Sequence, residues 1–154
     1  MSKNQRLPYD VRLECIAYVR GYPRRVQAYN DARSEILSGG NSATEGMPRS
    51  PGIGRPAESK AEQLAAIENW PETKKMLAVE YAIDRCGRDI GSDTIRRQLI
   101  YGIMHNCQGK HKYARNRIVI PGISEATFSR RKERFLHDIA KYAGLLVKGD
   151  TDST

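Results

Sequence analysis

Apolar side chains recur three and four residues apart along most of this chain, the spacing that gathers them on one face of an α-helix. Over residues 8 to 20 and just beyond, Val11, Cys15, Tyr18, Val19 and Tyr22 share such a face, Pro8 suits a first turn, and Gly21-Tyr22-Pro23 predicts a stop. From Pro23 the pattern resumes through Val26, Tyr29, Arg33 and Ile36-Leu37 as far as Ser38-Gly39-Gly40, so an αα-hairpin is predicted over residues 1–38. Residues 39–56, rich in Gly and Pro and without periodicity, predict a flexible linker. Beyond it Leu64, Ile67, Leu77, Tyr81 and Ile83 lie on apolar faces, and Pro71 after Trp70 predicts two helices meeting there. Ser92 then offers an N-cap for a helix bearing Ile95, Leu99, Ile103 and Met104, which "CQGKHK" breaks.

The last third predicts a short helix through about Ile118, a turn at Pro121-Gly122 and a longer helix capped by Ser124. Phe128, Phe135, Leu136, Ile139, Ala140 and Ala143 form the inward face of that helix. Gly144 suits the left-handed position after its end, with Leu145 and Leu146 folding back. "RIVIP" is β-prone, but no strand is predicted. The expected fold class is all-α: a helical hairpin plus a C-terminal helical bundle containing a helix-turn-helix. The bundle is expected over 57–148, the helix-turn-helix at about 111–144 and a tail over 149–154.

Charge changes this picture more than composition does. At 154 residues, 39% hydrophobic and 29% charged, the chain has the make-up of a folded globular protein. Its net charge of +8 is concentrated near the C-terminus: from His105 to Lys148 there are ten Lys or Arg against three acids. Clustered basic residues raise affinity for polyanions whatever the fold. No apolar run approaches the roughly 18 residues that span a bilayer, and the start lacks the core of a secretory signal, so a cytoplasmic protein without a membrane partner is expected.

A short helix, a tight turn and a longer capped helix form the order of a helix-turn-helix, whose second helix enters the major groove and reads base edges from its leading turns. With Phe128 and Phe135 inward, Glu125, Ala126, Ser129 and Arg130 become the base-reading candidates, because short polar groups and an arginine near a helix start can reach base edges. Arg131, Lys132 and Arg134 flank them and become phosphate candidates, since long cations suit backbone oxygens. Arg130 and Arg131 carry the most weight. The competing reading of "RRKER" is a solvated helix face.

The stretch "GISEATFSRRKERFLHDIAKYAGLL" resembles the C-terminal signature of the RinA and ArpU group of phage transcriptional regulators, with Ile123, Ser124, Thr127, Phe128, Arg130, Arg131, Ala140, Gly144 and Leu145 in matching positions. "GYPRRVQAYNDARSEI" and "GRPAES" carry weaker likenesses to the same group. The resemblance implies a C-terminal half similar to region 4 of bacterial sigma factors, and by position it adds Lys112, Arg115, Ser124 and Thr127 to the phosphate candidates. It further implies promoter DNA and host RNA polymerase as partners, activation of late phage genes, and residence in the bacterial host's cytoplasm. The N-terminal hairpin, with exposed apolar and basic faces, is the candidate for self-association into a homo-oligomer or for polymerase contact. Two other readings stay open: the small subunit of a phage terminase, and a protein-interaction module that binds RNA polymerase without reading DNA.

Cys15, Cys86 and Cys107 are odd in number and widely spaced, so reduced thiols at least partly buried are expected instead of a disulfide framework. His105, Cys107 and His111, with Cys86, contain zinc-binding types at a spacing that matches no zinc motif, so no metal is predicted. Arg55 in "GIGRP" reads as part of a turn in preference to a minor-groove arm. No phosphate-binding loop, activated nucleophile or paired-carboxylate set emerges, so neither an enzyme nor a cofactor is expected. Trp70 and the eight tyrosines are assigned mostly to packing.

Overall fold

The computed structural model describes residues 6–44, 56–109 and 119–146, with side chains at 6–38, 59–109 and 119–146. Among these residues the chain is all-α, with helices α1 (Tyr9–Thr44), α2 (Pro56–Glu68), α3 (Pro71–Arg85), α4 (Asp93–Gln108) and α5 (Glu125–Ala143). The helix expected through Ile118, the remainder of the linker over 45–55 and the tail over 149–154 lie outside the described residues. No described helix is long and apolar enough to cross a membrane.

The chain divides into two compact units, one holding residues up to Tyr22 together with those from Leu77 onward, the other Pro23–Met76. The sequence-expected linker at 39–56 thus falls inside the second unit. There Ile67 and Met76 are buried, Thr73 Oγ1 donates to the Ile67 carbonyl at 2.7 Å, and Arg25 pairs with Glu72 at 2.5 Å. Tyr29 donates to Glu68 beside them. Pro71 opens α3, where its missing N–H costs nothing.

In the first unit each helix supplies the face its periodicity requires. Val11, Cys15, Tyr18 and Val19 come from α1, Ala78, Val79 and Ala82 from α3, and Leu99, Ile103 and Cys107 from α4. From α5 come Phe128, Phe135, Leu136, Ile139 and Ala140. Local signals hold where expected. Ser92 accepts from the Ile95 N–H and Ser124 from the Thr127 N–H, each at 3.2 Å. Gly144 adopts φ 71°, and the Leu145 N–H donates to the Ala140 carbonyl at 2.9 Å, turning Leu145 and Leu146 back onto the core. The Pro121-Gly122 turn is closed by the Ile123 N–H donating to the Ile120 carbonyl at 3.1 Å.

The expected hairpin is not formed: residues 9–44 are one helix, with Pro23 inside it and residues 39–44 continuing it. A proline within a helix leaves the carbonyl four residues earlier without its donor. That carbonyl belongs to the wholly buried Val19, and Gln108 Nε2 donates to it at 3.0 Å. In return Arg20 Nε donates to the Cys107 carbonyl at 2.7 Å and Arg20 Nη2 to that of Gly109 at 3.0 Å, capping the end of α4. A side chain 89 positions along the chain thus supplies the donor that the proline removes.

Arg96 on α4 performs the same service for α3. Its Nε donates to the Cys86 carbonyl and its Nη2 to that of Asp84, both at 2.8 Å. Gly87, at φ 70°, makes the turn, and a Cβ there would stand 3.0 Å from Arg96 Cγ. The assignment of aromatics to packing needs correction: Tyr18 is buried, but Tyr9, Tyr101, Tyr142 and Trp70 are exposed. Helical spacing reports a face: the three exposed tyrosines lie at or beyond its margin, and Trp70 falls between α2 and α3.

Candidate nucleic-acid interface

The buried face of α5 fixes what its other side presents. With Phe128, Phe135, Leu136, Ile139 and Ala140 in the core, Ala126, Arg130, Arg134 and Lys141 are exposed at helical repeats, and the half-buried His137 stands between the last two. Three cations and a histidine therefore line one outward stripe over the length of the helix. Glu125 is exposed on the leading turn beside Ala126, and Ser129 is half-buried. Ser124 caps the helix, and its hydroxyl donates to Thr127 Oγ1 at 3.0 Å. Thr127 Oγ1 in turn accepts from Arg130 Nη2 at 3.2 Å, which steadies the arginine against the first turn.

The intervening members of "RRKER" are occupied differently. Arg131 makes a two-pronged pair with Asp89, Nη1 to Oδ1 at 2.6 Å and Nη2 to Oδ2 at 2.7 Å. Lys132 Nζ donates to Asn106 Oδ1 on α4 at 2.5 Å, and Glu133 accepts from Arg12 Nε on α1 at 2.8 Å. Three consecutive residues thus tie α5 to three different elements: the α3–α4 turn, α4 and α1. Neither the solvated-face reading nor a uniform phosphate-anchor reading describes this segment. Arg130 and Arg134 face outward, while Arg131, Lys132 and Glu133 dock the helix. Lys112 and Arg115 lie outside the described residues.

Asp89 was not singled out by the sequence, because its role depends on a partner 42 positions away. The Arg131 guanidinium holds its carboxyl down at about 2, and the backbone and the nearby Arg134 charge act the same way. Asp138, on the flank of α5, behaves oppositely: burial pushes its carboxyl up, only partly offset by Arg85 at 3.6 Å. Arg85 also lies 5.4 Å from the ring centre of Tyr81, which packs 5.2 Å from that of Tyr142.

The three cysteines are buried and unpaired. Burial pushes the Cys15 thiol up to about 12 and that of Cys86 to about 11, and raises Cys107 as well, so these thiols are protonated packing groups. Cys107 is in the core while His105 is exposed and stacks on Tyr101 with ring centres 5.8 Å apart, so the two do not converge on one point. His111 and Arg55 lie outside the described residues. Arg97, Tyr101 and His105 border an open cleft of about 510 Å³ with Val119 and Ile120. No family model, curated protein or solved structure matches this chain.

Proposed function

We propose that this chain binds double-stranded DNA through the outward face of α5 and acts as a transcriptional regulator. The observation that carries the reading is the division of labour along α5. Its docking is completed by buried apolar groups and by residues 131–133, leaving Ala126, Arg130 and Arg134 on an exposed ridge that begins at a capped helix start. A helix of about 10–12 Å diameter fits the major groove, where an arginine near the helix start can bond guanine O6 and N7 while a second cation one turn on meets phosphate. Arg130 is the principal base reader, with Glu125, Ala126 and Ser129 around it. Arg134 is the principal phosphate contact, and Ser124 and Thr127 border the same end.

The resemblance of residues 122–146 to the RinA and ArpU group makes promoter DNA the duplex and host RNA polymerase the second partner. Regulation would proceed by adding contacts that hold polymerase at a weak promoter of late phage genes in the bacterial cytoplasm, with no catalytic step. The test is binding to a duplex from upstream of its own genome's late operon against a scrambled duplex of equal length, at two salt concentrations. The native duplex is expected to bind at least about tenfold tighter, and Arg130→Ala to remove about 1–3 kcal/mol of that preference. Equal affinity for both duplexes would contradict sequence-specific regulation.

A further inference from the structure

We infer that Asp89 is an internal counter-ion that withholds Arg131 from DNA phosphate and so limits how many phosphates α5 can engage. The inference rests on the DNA-binding reading of α5. Its geometry is that of phosphate recognition carried out within the chain: two guanidinium nitrogens of Arg131 meet two oxygens of one carboxylate at 2.6 and 2.7 Å, the fork that a phosphate would otherwise occupy. The carboxylate sits on the exposed α3–α4 turn, its side chain 67% accessible, whereas the arginine is 24% accessible. The partner that shields the arginine is thus the more solvated of the two. Arg131 follows Arg130 directly, so a phosphate beside the DNA-facing ridge is within its reach only after Asp89 is displaced. Asp89 therefore lowers affinity for every duplex alike, leaving discrimination to the groups on the leading turns.

The experiment measures duplex affinity against salt concentration for the wild-type chain, Asp89→Asn, Asp89→Asn/Arg131→Ala and Glu62→Gln, an exposed acid of α2 whose removal makes the same change in net charge. Asp89→Asn is expected to tighten binding to cognate and scrambled duplexes alike, about threefold to tenfold. It should also steepen the salt slope by about one, as one more phosphate is neutralised. The double variant is expected to return to the wild-type slope and Glu62→Gln to leave it unchanged. An Asp89→Asn slope equal to that of wild type, or a steepening that persists without Arg131, overturns the inference. Asp89→Glu, which keeps the carboxylate, is expected to match wild type, and melting curves for all variants check that each is folded. The same variants are run on immobilised heparin. If the wild-type chain binds no duplex, the reading of α5 fails, and an Asp89→Asn protein eluting no later than wild type from heparin sinks the counter-ion separately.

Discussion

Arg130 and Arg131 are neighbours in the chain, yet a step of about 100° around the helix gives them different work. Arg130 stands on the open ridge with its guanidinium steadied by Thr127, while Arg131 turns toward Asp89. Sequence reasoning weighted them equally because charge clustering does not say which cation has an acid waiting for it elsewhere. The carboxylates of this region have opposite pH signatures. For Asp89, held at about 2 against an ordinary unfolded value near 3.9, the pairing contributes fully above pH 3.9 and is lost as pH falls through about 2. The pair therefore persists at neutral pH, and being exposed it contributes at most about 1 kcal/mol to stability. For Asp138, whose carboxyl is raised by burial, the folded state holds the proton more tightly than the unfolded chain. Its ionisation opposes folding as pH rises through the raised value. Asp138→Asn is accordingly expected to keep or raise the melting temperature at pH 7 relative to wild type, with the advantage shrinking toward pH 4. A lower melting temperature at pH 7 would show that the Arg85 pair outweighs burial. The thiols supply another residue-scale check: at pH 8 the native protein is expected to resist iodoacetamide at Cys15, Cys86 and Cys107, with all three reacting once it is unfolded.

At the scale of elements, the starts and stops that depend on near neighbours were legible. Ser92, Ser124, Pro71 and Gly144 act within one turn of their own positions, so a short window of sequence contains the whole cause. The hairpin expectation failed because its remedy is distant. Gly21-Tyr22-Pro23 does carry a helix-breaking signal, but α1 runs through it, and the Gln108 amide reaches the Val19 carbonyl that the proline leaves without a donor. Gln108→Ala is expected to destabilise the protein by about 1–3 kcal/mol, the cost of leaving a buried carbonyl without a donor. Pro23→Ala restores the helix's own N–H to that carbonyl, so in its background the Gln108→Ala loss is expected to fall by more than half. A double-mutant cycle by chemical denaturation measures the coupling, and additive effects would detach the glutamine from the proline. The docking bonds of residues 131–133 were hidden for the same reason, since Asp89, Asn106 and Arg12 are all remote in sequence.

For the whole molecule, the all-α class and most of the core followed from periodicity, because a helix that buries one face must repeat apolar groups at that spacing. The division into units did not follow, since α1 and α3 each contribute residues to both: the crossing in α1 coincides with the break signal at Pro23, through which the helix nevertheless continues, and the crossing in α3 carries no break at all. The net charge of +8 makes some attraction to any polyanion unavoidable, so an affinity measured at one salt concentration cannot separate a general electrostatic pull from binding at α5. The dependence on salt can. The most direct test is therefore the slope of log affinity against log salt for duplex DNA, compared between wild type and Arg130→Ala/Arg134→Ala. If α5 is the DNA-facing helix, the variant remains folded, its affinity drops, its preference for the native duplex goes with Arg130, and its slope falls by about one, for the phosphate contact of Arg134. An unchanged slope in a folded variant would place the DNA contact elsewhere and contradict the assignment of α5.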